Sequence, residues 1–359
     1  MPEAHHQGRC GRCGQGLTEQ IAKEAAGLTI KDLAKLSGYS LGTVSRVLNN
    51  QPNVSERARR EVLAAVERFG FERNENAKNL KQLKNEGILV LVKGRKNELF
   101  AAIIERLQQF FDRTSYTMML DYFDEQEDEV RRAAHLCAIK KPQGLLFLGG
   151  NCSNFRDAFA QILVPAVLLT DNAAELQFPN LSSVFTDDVA AADCAVSYLI
   201  AQGHRSIAVI GGDPGISDTS RMRLEGCLRA MHRSGIRGPA ARESALYSYE
   251  GGYLTTQRIL AAGVPITALF AMADVMAIGA IRALRDAGYR VPEDISVCGF
   301  DGLPLSDYFL PQLTTVRQSA DDIADRGARI LLESIERPGA ARHEVIPFSF
   351  AKRESVAKI

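Results

Sequence analysis

The sequence predicts a small all-α head joined to an α/β body of two doubly wound parallel-sheet lobes. Three observations predict it. Residues 29–69 hold three short segments with apolar residues at helical spacing. Beyond residue 88 the chain alternates short apolar runs with helix-length segments, the pattern of parallel strands buried on both faces. The roughly 270 residues that follow the head exceed what one doubly wound sheet uses.

Composition narrows the class. Hydrophobic residues make up 46% and charged residues 24%, and 43 Lys and Arg balance 43 Asp and Glu, which excludes a disordered polyelectrolyte. The balance conceals a local bias. Residues 28–87 carry eleven basic against seven acidic residues, net +4, whereas residues 88–359 carry 29 against 33, net −4. Seven scattered cysteines (Cys10, Cys13, Cys137, Cys152, Cys194, Cys227 and Cys298) point to reduced thiols in the cytoplasm rather than a disulfide framework. No run approaches the ~20 apolar residues of a membrane span, and no secretory h-region opens the chain. A soluble cytoplasmic protein without a membrane partner is expected.

Residues 1–27 are polar and Gly-rich and read as a disordered leader, with Leu28 as another candidate start of translation. Their Cys10-Gly-Arg-Cys13 is half a zinc site at most, because no second ligand pair follows at finger spacing. No metal or cofactor is expected. The first helix runs from about Ile30 to Leu36, with Thr29 as N-cap and Asp32 three residues on; Ile30, Leu33 and Ala34 share one face. Gly38 ends it. Ser40 caps a second helix, Leu41 to Leu48, whose Val44, Val47 and Leu48 face inward. Ser55 caps a third, Glu56 to Phe69, with Val62, Leu63, Val66 and Phe69 inward and Gly70 as its stop. Residues 73–87 are a polar linker, a helix only against a partner. Eight apolar runs then read as strands: 88–92, 117–121, 144–149, 166–170, 182–187, 206–212, 268–272 and 295–301. Two lobes built from them place a ligand at the carboxyl ends of the strands.

Two helices joined at Gly38-Tyr39-Ser40, the second exposing Thr43, Ser45, Arg46 and Asn49, have the layout of a helix-turn-helix. Such side chains offer donors and acceptors to base edges and phosphates, although a solvated helix face has the same look. The local +4, the N-terminal position and the polar linker favour double-stranded DNA as partner.

At this point the residues reach a family. LTIKDLAKLSGYSLGTVSRVLNNQPNVSERARREVLAAVERFGF strongly resembles the DNA-binding head of the LacI/GalR family of bacterial transcription regulators. GHRSIAVIGG (203–212), DVMAIGAIRALRDAGYRVPEDISVCGFDG (274–302), LTTVRQ (313–318) and PFSFAKRES (347–355) look like that family's body. The resemblance covers residues 28–355 and implies a periplasmic-binding-protein-like body, residues 88–359, with chain crossovers near 187, 317 and 345. It also implies a homodimer, a palindromic operator and a small-molecule effector, a sugar or sugar derivative, acting on a repressor.

The resemblance assigns residues too. Leu41 and Gly42 take the positions that choose the operator, a departure from the polar or aromatic pairs often seen there. Thr43, Ser45, Arg46 and Asn49 take base and backbone contacts, and Thr29, Asn53 and Ser55 take flanking phosphate sites. The linker looks like the family's hinge helix, with Asn74, Ala77 and Leu80 matching, Lys78 for Arg and Arg73 for Pro. Leu80 would be the wedge entering the minor groove.

In the body the resemblance implies effector contacts at Arg223 and Asp301, taken as opposing anchors, and at Asn97, Phe100, Asp171, Tyr247 and Gln318. Ala273 stands where the family often has Asn or Ser. Lys93 and Arg95 follow the first strand and hint at an anionic ligand, although solvated lysines are the more usual explanation. No phosphate loop, HExxH or nucleophile elbow occurs. Asp124, Asp187, Asp188 and Asp301 lie near strand ends, with nothing pairing them as acid and base. A regulator is therefore expected, rather than an enzyme carrying a DNA-binding head or a transport binding protein.

Overall fold

The structure is a computed structural model describing residues 29–48, 54–69, 71, 87–94 and 97–359. The leader, the linker over 72–86, Asn49, Asn53, Gly70, Arg95 and the hinge residues Arg73, Asn74, Ala77, Lys78 and Leu80 lie outside them. The head and the body are separate compact units.

In the head, α1 (Ile30–Ser37), α2 (Leu41–Leu48) and α3 (Glu56–Arg68) close one small core. The Thr29 side chain accepts from the Asp32 amide while the Asp32 carboxylate accepts from the Thr29 amide, so two end donors of α1 are satisfied reciprocally. Gly38 then takes φ 72°, a left-handed conformation that ends the helix and that a side chain would strain. The Ser55 side chain caps α3 through the Ala58 amide. Leu33, Ala34, Val44, Val47, Val62 and Ala65 form the core, with Ile30, Leu48, Val66 and Phe69 against it. Leu63 corrects the sequence reading: it is 48% exposed, because Ala58, Val62 and Ala65 turn inward at i, i+4 and i+7.

The body alternates strand and helix. Its strands are β1 (Gly87–Lys93), β2 (Thr117–Phe123), β3 (Gly144–Leu148), β4 (Ala166–Leu169), β5 (Leu181–Thr186), β6 (Ile207–Gly211), β7 (Ala241–Ser244), β8 (Ala268–Ala271), β9 (Ser296–Asp301), β10 (Thr314–Arg317), β11 (His343–Ile346) and β12 (Ser349–Ala351). One sheet has the order β11-β5-β4-β3-β1-β2, parallel throughout; the other has β12-β10-β9-β8-β6-β7, parallel except for β10 with β12. All eight apolar runs are strands. The chain passes between the sheets after β5, after β10 and between β11 and β12, so the carboxyl ends of both sheets border one cleft.

Both faces of each sheet are covered. On the first sheet α4 (Glu98–Phe111) and α12 (Ala320–Glu336) pack together, with α5 (Glu129–Lys140) and α6 (Cys152–Ala158) over the Phe147, Phe155 and Phe159 cluster on the other face. On the second, α7 (Asp188–Ala201) pairs with α8 (Asp218–Arg233), and α9 (Tyr249–Ala261) with α10 (Asp274–Asp286). The last pair meets backbone to backbone: a Cβ at Gly279 would sit 2.0 Å from the Tyr249 carbonyl oxygen. Asp274 is fully buried and accepts from Ser306 Oγ, Thr315 Oγ1 and the Leu303 amide, tying α10 to β10 and to the chain after β9, where the short α11 (Leu305–Tyr308) lies. Among the described residues no helix is long and apolar enough to cross a membrane.

Candidate functional site

Two surfaces carry chemistry. On the head, α2 buries Val44 and Val47, and helical spacing turns Leu41, Gly42 and Arg46 to solvent, with Thr43 and Ser45 half-buried. Arg46 Nε donates to its own Gly42 carbonyl at 3.1 Å, and the Ser40 and Thr43 hydroxyls lie 2.9 Å apart. Thr29 and Ser55, caps of α1 and α3, are exposed at their helix N-termini. Glu61 binds Tyr39 Oη at 2.6 Å and Arg57 Nε at 3.0 Å, holding the turn before α2 against α3. A rigid helix thus presents an outward strip of short polar groups and one cation.

In the body a cavity of about 390 Å³ lies between the lobes. Asn97, Phe100 and Asp171 line it from the first lobe, and Arg223, Tyr247 and Asp301 from the second. Asn97 caps α4, its Oδ1 accepting from the Leu99 and Phe100 amides, which fixes the Phe100 ring in the wall. Tyr247 Oη lies 2.7 Å from Ser220 Oγ. Gln318 does not line the cavity; its Nε2 donates to Asp301 Oδ1 at 2.9 Å and so holds a lining carboxylate.

Arg223 is 4% exposed. Its Nε donates to Asp188 at 2.7 Å, Nη1 donates to the Met272 carbonyl and lies 3.6 Å from Asp301, and the guanidinium stacks on Phe300 at 3.7 Å. Arg223 and Asp301 are therefore neighbours on one lobe, not opposing anchors: α8 packs against the sheet whose β9 ends in Asp301. Burial pushes the carboxyl groups of Asp301 and Asp171 up to about 7, despite the pull of Arg223 and of their hydrogen bonds to Gln318 and Thr219. Thr170 and Asp301, at the ends of β4 and β9 and both in the cavity wall, have positive φ of 77° and 114°, rare for residues with side chains.

The lips touch. Thr219 Oγ1 donates to Asp171 Oδ1 at 2.7 Å, the Cys152 amide to Asp218 at 2.6 Å and Asn151 Nδ2 to the Ile216 carbonyl at 2.7 Å, all from one lobe to the other. Lys93 corrects a second expectation. It lines the cavity, yet its Nζ lies 2.7 Å from the fully buried Glu129, so it is half of an ion pair rather than a cation awaiting an anion. Ala273 is buried outside the cavity wall.

Sequence reasoning missed Asp188 as the partner of Arg223, Glu129 as the partner of Lys93 and Thr219 as a lip residue. A carboxylate directly after β5, at a crossover, was the available signal for Asp188; the other two had none. Among the described residues no three His, Cys, Asp or Glu are grouped to hold a metal.

Comparison with known proteins defines the class. Residues 29–74 match the family model for bacterial regulatory proteins of the lacI family, and residues 196–356 match the periplasmic binding protein-like domain. The HTH-type transcriptional regulator MalR of Clostridium butyricum is 34% identical over 92% of this chain and 100% of its own length. The probable HTH-type transcriptional repressor ExuR of Bacillus subtilis (strain 168) is 31% identical over 92% and 99%. Among solved structures, the Lac repressor dimer bound to operator and the anti-inducer ONPF shares 26% identity at a TM-score of 0.76, over 92% of this chain and 99% of that one. A complex of the transcriptional regulator CelR with cellobiose shares 25% at 0.66, over 91% and 99%. The chain belongs to the LacI family: it is a DNA-binding transcription regulator, not an enzyme, with a helix-turn-helix head and a two-lobed α/β body.

Proposed function

We propose that the chain is a ligand-responsive repressor that binds a palindromic operator as a homodimer, in the cytoplasm and on the nucleoid, with a sugar or sugar derivative as allosteric effector. What carries this reading is the presence in one chain of an outward-facing α2 and a cavity between two lobes whose lips are joined by hydrogen bonds. Residues 28–72 are then the reading head, 73–87 the hinge and 88–359 the sensor and dimerisation body. Thr29, Leu41, Gly42, Thr43, Ser45, Arg46 and Ser55, with Asn49 and Asn53, meet the major groove and its phosphates; Asn74, Ala77, Lys78 and Leu80 meet the minor groove. Leu41 offers only apolar contact, suited to a thymine methyl, and Gly42 none.

Asn97, Phe100, Asp171, Arg223, Tyr247 and Asp301 hold the effector, with Gln318 acting through Asp301. An effector that prefers one arrangement of the lobes shifts the dimer by its difference in affinity for the two, which forms or melts the hinge and changes operator affinity. The repressor ExuR, the operator-bound Lac repressor dimer and the CelR–cellobiose complex support the reading.

The test is fluorescence anisotropy of the full chain on DNA selected from a random pool, across a salt series. A palindrome is expected to bind more tightly than a single half-site, with log Kd rising linearly with log salt. Equal affinity for half-site and palindrome contradicts the dimer.

A further inference from the structure

The three lip bonds join α6 and the turn after β4 to the chain entering α8. A fourth bond joins the lobes elsewhere: Tyr249 Oη, on the second lobe, donates to the carboxylate of Glu98, on the first. The two places lie on opposite sides of the cleft. α4, which Glu98 opens, and α6 cover opposite faces of the first sheet, while α9, which Tyr249 opens, and α8 cover opposite faces of the second.

Helix caps set both partners of this fourth bond. Glu98 follows Asn97, whose Oδ1 accepts from the Leu99 and Phe100 amides, and Tyr249 follows Ser248, whose Oγ accepts from the Gly251 amide. Each is therefore the first residue of a capped helix and moves with its own lobe. Each also adjoins the cavity wall: Asn97, Leu99 and Phe100 flank Glu98, and Leu246 and Tyr247 precede Tyr249. Parting the walls parts this pair. A hydroxyl bonded to a carboxylate is about twice as strong as a neutral pair. Burial and Glu98 both push the Tyr249 hydroxyl above its usual pKa, so it stays a donor at physiological pH. With Tyr249 37% exposed, water takes over both groups when the bond opens, so breaking it costs about the net worth of one hydrogen bond. We propose that Glu98 and Tyr249 form a clasp that sets how often the cleft opens, whatever ligand the cleft takes. Held on both sides, the lobes part only when both sets of bonds release, and a molecule enters the cavity only then.

The far lip carries a reporter. The Cys152 amide donates across the cleft to Asp218, whereas the adjacent Asn151 amide donates to Glu129 within its own lobe. Opening exposes the first to hydrogen exchange and leaves the second protected. The test is hydrogen exchange of the full chain in buffer alone, with the two amides resolved by fragmentation mass spectrometry, in wild type, Tyr249→Phe and Glu98→Gln. Tyr249→Phe removes the donor and is expected to speed exchange at Cys152 about fivefold or more. Glu98→Gln keeps an uncharged acceptor and is expected to speed it by less. Asn151 is expected to hold its wild-type rate in both variants, which separates opening of the cleft from loosening or unfolding of the lobe. An unchanged rate at Cys152 in Tyr249→Phe, or equal acceleration of Cys152 and Asn151, overturns the proposal, as does a larger effect from Glu98→Gln.

Discussion

Glu129 shows how one buried residue rewrites the reading of another. It is fully buried under the end of β1, with Lys93 Nζ 2.7 Å away and the Asn151 amide and Asn154 Nδ2 donating to it at 2.6 and 3.0 Å. Glu129→Ala would strand Lys93 and two donors together, an expected loss of about 3–5 kcal/mol of body stability in urea melts. A loss under ~1 kcal/mol would remove the network from the stability account. The raised carboxyl groups set a pH dependence. Asp171 and Asp301 stand at about 7 and Asp274 at about 6, against an ordinary 3.8, because burial disfavours their ionised forms. Their folded forms hold protons that the unfolded chain releases, so this contribution is fully present below pH 4 and is lost as pH rises through 6 and 7. The unfolding free energy contributed by these groups is expected to fall between about pH 4 and 7, and Asp171→Asn to flatten the slope. An unchanged slope in that variant would show Asp171 to be ordinary. Glu129 was not legible as a partner in the sequence and Asp188 only as a carboxylate at a crossover, since each meets its cation across 35 or more positions that follow no local period.

At the scale of elements the sequence was more explicit. The three head helices follow from apolar spacing plus caps at Thr29, Ser40 and Ser55, and the central strands from apolar runs buried on both faces. β7 and β12 lie at sheet edges and β11 ends the other sheet, where half-covered strands such as Ala-Arg-Glu-Ser show no apolar run. β10 is interior, but its Thr314 and Thr315 are buried through hydrogen bonds to Arg353 and Asp274, a polar solution that hydropathy does not register. Gly38→Ala has open space around it and only the positive φ to resist, so head stability should drop by about 1–2 kcal/mol. Gly279→Ala meets backbone instead and should lower the body's melting temperature while leaving the head's unchanged. A single shared shift would show that the units melt together. On α2, Arg46→Ala should weaken operator binding by about 1–3 kcal/mol, read by anisotropy; unchanged affinity removes Arg46 from the interface.

For the molecule as a whole, the division into a compact head and a compact body sets the logic of control. The cleft is lined by residues of the body alone, so on the proposed reading a ligand there acts by favouring one arrangement of the lobes, and the bonds across the lips from Asp171, Asp218 and Asn151 are contacts that such a change would make or break. Arg223 belongs to the body, among the groups that line its cleft, which makes it the residue at which to separate sensing from reading. The most direct test is operator affinity of the full chain, titrated with the sugar that calorimetry selects, in wild type and in Arg223→Ala. A change of about tenfold or more in the wild-type Kd, absent from Arg223→Ala while that variant's basal affinity is preserved, is the predicted result. An equal response in both proteins, or no response in wild type at saturating sugar, would contradict it.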